Sequence, residues 1–142
     1  MAVERLHLEW HGEEVKERLN EAAAAGLNAA ATALRGHMSF NLSIQGPPRS
    51  LPGQFPHMDT GTLRRSLKTE KATASSLYAA AGVDATAYNE GTLVDDYALY
   101  LEFGTMRMAP RPWILRTLDE NRTEIVSTFM QAARAAMNAG SA

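Results

Sequence analysis

Tyr97-Ala98-Leu99-Tyr100-Leu101-Glu102-Phe103-Gly104-Thr105-Met106-Arg107-Met108-Ala109-Pro110-Arg111-Pro112-Trp113-Ile114-Leu115 is the densest cluster of aromatic, glycine and proline residues in the chain. Glu102 sits between two large apolar residues, Leu101 and Phe103, and a Gly104-Thr105 turn follows at once. A second turn, Ala109 to Pro112, leads into an apolar helical pattern. Tyr97, Leu99, Leu101 and Phe103 alternate as in a strand, while Tyr97, Tyr100/Leu101 and Gly104 fit helical spacing. A short helix is the preferred reading and a strand the alternative. Either way the stretch is a folded corner that presents a surface, and the other segments arrange around it.

Downstream of the corner, Ile114, Leu118, Ile125, Phe129, Ala132/Ala133 and Ala136/Met137 line one face of a helix. Pro112 fits its first position, where a missing N–H costs nothing. Gly140 suits its C-cap, and residues 138–142 are expected to form a flexible tail. At the other end, Leu6, Leu8 and Trp10 alternate with Arg5, His7 and Glu9, which predicts a half-buried strand over 3–10. From Glu13 the period changes to three or four: Val15, Leu19, Ala22/Ala23, Gly26/Leu27, Ala30, Leu34 and Met38 predict an amphipathic helix. Phe40, Leu42 and Ile44 could carry it to residue 44. At 1.5 Å per residue such a helix is roughly 45 Å long, so part of it should pack on something beyond its own core. Glu14 and Arg18 are placed for an i,i+4 pair.

Between the helices, residues 46–58 hold four of the six prolines and read as an extended loop with polyproline character. Leu51 and Phe55 are its apolar residues. They either tuck into the core, the preferred reading, or anchor the loop on a partner. Asp59 or Thr60 is a candidate N-cap for a short helix carrying Leu63 and Leu67 on one face, with Arg64 and Arg65 toward solvent. Residues 68–74 and 76–85 predict two antiparallel strands with a turn near 74–76. Asn89-Glu90-Gly91 is the tip of a further turn. The expected fold is α+β: a long N-terminal and a C-terminal helix on a small antiparallel sheet, with a Pro-rich extended loop, as one domain over residues 1–142.

Function classes narrow by exclusion. The net charge of −2 argues against a mainly electrostatic nucleic-acid binder. With no cysteine, disulfides and thiolate metal sites are excluded. No apolar run approaches the ~18 residues of a membrane span, and the N-terminus lacks signal-peptide character. The expectation is a soluble protein of a reducing cytoplasm. His7, His11, His37 and His57 form no metal-ligand spacing, and no phosphate-loop, dinucleotide or nucleophile-elbow motif is present. No cofactor, metal or catalytic residue is expected. Glu102 admits two roles. One is an acid/base with a raised pKa. The other, preferred because no second catalytic group accompanies it, is a structural carboxylate, accepting N–H bonds from the Gly104-Thr105 turn or pairing with Arg107 or Arg111. Arg49, Arg64, Arg65, Arg107, Arg111 and Arg116 gather in the middle of a chain with only three lysines. An Arg-rich, Lys-poor set leans toward protein–protein contact.

Three elements then occur in order. They are the Pro52-Gly53-Gln54-Phe55-Pro56 loop running into Asp59-Thr60-Gly61-Thr62-Leu63-Arg64-Arg65-Ser66-Leu67, the Tyr97-to-Thr105 stretch, and Met108-Ala109-Pro110-Arg111-Pro112-Trp113. Together, over residues 13–120, they resemble the small neck or tail-completion proteins of long-tailed bacteriophages, a family also described as minor tail or head–tail joining proteins. Trp113 stands where phenylalanine is usual, and Pro110 stiffens the turn. The resemblance implies a structural, non-enzymatic virion protein, assembled in the host cytoplasm. It implies a ring, of six copies if it matches tail symmetry, between head-closure or connector proteins and tail-tube or tail-terminator proteins. DNA would pass through the ring without sequence-specific binding. The candidate interface residues are Phe55, Arg64, Arg65, Glu102, Phe103, Gly104, Thr105, Arg107, Arg111 and Trp113. The alternative is a nucleic-acid-binding or regulatory module using the Arg-rich edge.

Overall fold

The alanine blocks at the two ends of the chain make helices with little side-chain bulk, and these helices lie against each other. The computed structural model describes residues 8–45, 49–89 and 91–140. Helix α1 spans Gly12–Asn41 and helix α4 spans Ile114–Ala139. They run antiparallel: Asn41 Nδ2 donates to Thr117 Oγ1 (3.0 Å) at one end, His37 Nε2 lies 3.1 Å from Glu124, and Arg18 donates to the Met137 carbonyl (3.3 Å) at the other. Small residues set the spacing. Ala22, Ala24, Gly26 and Ala31 are the buried residues of the first five turns of contact, and a Cβ on Gly26 would come within 2.8 Å of the Phe129 ring.

The C-terminal half of α1 also carries the sheet. Strands β1 (Leu67–Glu70) and β2 (Ala80–Val83) pair antiparallel, with Leu67 opposite Val83 and Glu70 opposite Ala80. Period-two alternation turns Leu67, Ala81 and Val83 toward the core. The turn between the strands closes at Thr73 and Ser76. Two side chains of α1 hold this hairpin: Arg35 Nε donates to the Leu67 carbonyl (2.9 Å), and the Asn28 carboxamide pairs with both the N–H and the C=O of Ala72. A one-turn helix α2 (Thr62–Arg65) precedes β1, a minimal hairpin β3/β4 (Tyr88–Asn89, Thr92–Leu93) follows β2, and helix α3 (Val94–Phe103) leads into the corner. The fold is therefore α+β, with α1 and α4 packed together and on a two-stranded antiparallel sheet. Its large buried side chains, Met38, Leu42, Leu67, Leu101 and Trp113, gather with Ala98 at one end of the helix pair.

Several expectations are corrected. Residues 8–10 are not a half-buried strand: Leu8 and Trp10 are 79% and 85% exposed, and residues 3–7 of that segment lie outside the described residues. Helix α1 ends at Asn41, so Leu42 enters the core as the C-cap residue and Ile44 instead accepts the Met58 N–H. The short helix is capped neither by Asp59 nor by Thr60; Gly61, at φ 77°, holds the N-cap position, and Leu67 belongs to β1. Within the loop Phe55 packs against the core whereas Leu51 stays exposed, and Gln54 N donating to Leu51 O makes a turn where extended chain was expected. Pro112 lies outside α4, whose N-cap is Trp113. Arg18 reaches across to α4 and leaves Glu14, which lies near His11. Helix α4 runs through residues 138 and 139 with Gly140 as its C-cap, so no tail begins at 138; residues 141–142 are outside the described set.

Candidate assembly surface around the Glu102 corner

Helix α3 has the helical spacing of the 97–103 stretch, and it presents two chemically different faces. Val94, Ala98, Leu101 and Glu102 point inward. For the three apolar residues that is ordinary burial. For Glu102, only 6% exposed, it demands partners. Those partners are the backbone N–H groups of Trp113 (2.7 Å), Ile114 (2.8 Å) and Leu115 (3.2 Å), all donated to its carboxylate. A helix starts with unpaired N–H groups and a partial positive charge. Trp113 offers no side-chain cap of its own, and Glu102 supplies the cap from eleven residues upstream. It therefore uses neither the Gly104-Thr105 turn nor Arg107 or Arg111, the partners expected for it.

The intervening residues make this reach possible. Gly104 ends α3 at φ 76° and ψ 177°, a region open essentially to glycine alone, and a Cβ there would sit 2.8 Å from the Met108 carbonyl oxygen. Thr105 N donates to Met108 O and Thr105 Oγ1 accepts from Arg107 N, closing a tight turn with Met106 fully exposed at its tip. Arg111 N then donates to Leu101 O (2.7 Å), and Trp113 is buried completely, its indole N–H on the Ala98 carbonyl (3.3 Å). The corner is locked on itself.

It also clamps the preceding loop. The Arg111 guanidinium donates twice to the Ser50 carbonyl (3.0 and 2.9 Å), Gly53 N donates to Pro110 O, and Arg116 donates to Gly53 O while lying 4.2 Å over the Phe55 ring. Between loop and corner opens a cleft of about 990 Å³, with Arg49, Arg64, Arg107 and Arg111 among its walls. Arg64 donates to Ser39 Oγ on α1 (3.0 Å), and Arg65 turns back on the Thr60 carbonyl (2.9 Å).

The ten candidate residues thus divide. Glu102 and Trp113 are buried and, with the half-buried Gly104, set geometry. Arg64, Arg107 and Arg111 share the cleft, Phe55 and Arg65 lie apart from it, and Phe103 and Thr105 face outward. Sequence reasoning missed the rest of the outward face: Tyr97, Leu99, Tyr100 and Met106 are exposed beside Phe103, which is 70% exposed. For Tyr97, Leu99, Tyr100 and Phe103 the signal was present, because they are the complement of Val94, Ala98, Leu101 and Glu102 on a 3.6-residue helix, whereas Met106 lies in the turn beyond it. A second apolar surface was also missed. It is a shallow groove of about 390 Å³ between the far ends of α1 and α4, lined by Leu19, Ala22, Ala23, Met130, Ala133 and Met137.

Among the described residues, no group of three or more acidic or histidine side chains is placed to hold a metal ion. Among the described residues, no helix is long and apolar enough to cross a membrane. Comparison with known families, with curated proteins and with solved structures finds no match to this chain.

Proposed function

We propose that this chain is a structural assembly subunit, and specifically a ring-forming neck protein of the kind its motif order suggests, joining the head and tail of a long-tailed phage. One observation carries the assembly reading: the corner is fixed from within by Glu102, Gly104 and Trp113 while Tyr97, Tyr100, Phe103 and Met106 project into solvent on the same rigid piece. A monomer gains nothing from exposing large aromatic side chains together, and such patches mark interaction surfaces. Preorganisation lowers the cost of docking, because the side chains are held before the partner arrives. In this reading the neighbours are further copies of the chain, a head-closure or connector ring, and the tail tube or its terminator, with the DNA path enclosed.

The test is a gene deletion in the phage that encodes the chain. Full heads and separate tails in micrographs, with joining restored by the wild-type chain and not by Phe103→Asp, are the expected result. Intact particles from the deletion would end the neck reading.

A second reading has its own observation. Four arginines line one cleft, and arginine forks suit carboxylates and phosphates alike. A module binding nucleic acid there would show affinity falling steeply with salt. No measurable affinity for duplex or single-stranded DNA at about 50 mM salt would dispose of it.

A further inference from the structure

The two apolar surfaces stand at opposite ends of the same helix pair. The α3 face packs, through Ala98 and Leu101, beside Met38 and Leu42 near the C-terminus of α1. The groove begins at Leu19 and Ala22, near its N-terminus. About twenty residues of α-helix separate them, or roughly 30 Å. They cannot cover one another within one chain. The first is the exposed outer side of a helix carrying Leu99, Tyr100 and Phe103; the second is a shallow groove lined by small and apolar residues, where Leu19 remains 52% exposed. Their charges are complementary. Asp95 and Asp96 open the α3 face, whereas Arg134 lines the groove and Lys16 lies one turn from Leu19 on the same side of α1.

We infer that the occupant of the groove is a second copy of this chain, inserted through its α3 face: Leu99, Tyr100 and Phe103 enter the trough between α1 and α4, and Asp95 and Asp96 meet Lys16 and Arg134. This inference rests on the reading of the chain as a self-assembling subunit, though not on the particle it serves. Because the two surfaces differ, the contact is head-to-tail. Each copy keeps one free face and one free groove, so assembly continues until the rotation per copy closes a ring.

The chain has no cysteine, which permits a clean test on the purified full-length protein. Phe103→Cys on the face and Ala133→Cys in the groove are made singly and together, and treated with a short bismaleimide. The double variant is expected to give a ladder of dimer, trimer and higher species. Each single variant should give monomer or background dimer. Adding Tyr100→Asp to the double variant should weaken the ladder at least about tenfold, as loss of an interface aromatic does. Circular dichroism verifies that each variant folds. Absence of a ladder, a ladder indifferent to Tyr100→Asp, or efficient dimers from Phe103→Cys alone would each overturn the inference. So would a ladder that forms only after residues 1–7 are removed, since the groove would then belong to the chain's own N-terminus. A ladder from a chain that proves dispensable for head–tail joining would sink the neck reading and leave this one standing.

Discussion

At the scale of single residues, Glu102 decides how the corner is built. Its carboxylate accepts the three N–H groups at the start of α4, of which that of Trp113 is buried and those of Ile114 and Leu115 are partly buried. Glu102→Ala strands those donors, and at 1–3 kcal/mol for a buried unpaired polar group, partly relieved by relaxation, the loss of stability should be about 2–4 kcal/mol. Glu102→Gln keeps an acceptor oxygen but loses the charge facing the helix N-terminus, so about 1–2 kcal/mol is expected. Urea unfolding midpoints of the two variants check the order, and equal losses would refute the cap. Asp84 gives a pH-dependent counterpart at the other edge of the fold. The Thr86 backbone N–H, then its hydroxyl, then Lys68 at 3.2 Å hold the Asp84 carboxyl at about 2, below its ordinary 3.8. A depressed folded value means the contribution to stability is complete above the unfolded value and fades as pH falls from about 4 toward 2. Thr86→Val should raise the carboxyl only part of the way back, since the backbone donor survives. Carbon-detected titration of Asp84 in both chains reads this directly.

At the scale of elements, the two glycines inside α1 make opposite predictions from one residue type. A Cβ on Gly26 would lie 2.8 Å from the Phe129 ring and 2.9 Å from its carbonyl oxygen, whereas one on Gly36 meets nothing within 4 Å. Alanine is worth about 1 kcal/mol over glycine in a helix interior. Gly36→Ala should therefore stabilise by about 0.5–1 kcal/mol, while Gly26→Ala should destabilise by about 1–3 kcal/mol, the cost of overpacking a close helix contact. Thermal unfolding of both variants separates the cases; stabilisation by both would mean that α1 and α4 are not this close. The same elements show what was legible beforehand. The two long helices follow from period, because each buries a face whose spacing is written locally. Helix α3 fits its helical spacing, although the alternation of Tyr97, Leu99, Leu101 and Phe103 suited a strand equally well. The expected hairpin of 68–74 and 76–85 is present only as the shorter strands Leu67–Glu70 and Ala80–Val83, the four residues of the latter all half-buried. The caps do not follow. Trp113 is a poor N-cap by residue type, and its carboxylate arrives from another element, a tertiary fact that no window of sequence contains. Leu8 and Trp10 mislead for the converse reason: alternation licenses a strand only where another strand is free to pair with it.

At the scale of the molecule, the core is lopsided, and this has a kinetic consequence. Trp113, Met38, Leu42, Leu67 and Leu101 concentrate the large buried side chains at one end, while the other end of α1 and α4 is held by Ala22, Ala24, Gly26 and a few polar contacts such as Arg18 with Met137. Burial of an alanine removes far less apolar area than burial of a leucine or tryptophan, at about 25 cal/mol per Å². The far end should thus open without global unfolding. Native-state hydrogen exchange is expected to show amides around residues 16–24 and 130–138 exchanging through a sub-global opening, several kcal/mol below those around 36–41, 98–102 and 117–121. If the groove at that far end receives the α3 face of a second copy, protection around residues 16–24, 130–138 and 95–103 should rise with protein concentration while that around 36–41 and 117–121 stays unchanged, because only the two halves of the interface gain burial on association. Uniform protection along both helices would contradict the lopsided core. A concentration effect with no change around residues 16–24 and 130–138 would place the self-contact elsewhere. The far end of the helix pair is therefore the weakest part of the monomer, and in this reading it is also the part that assembly completes.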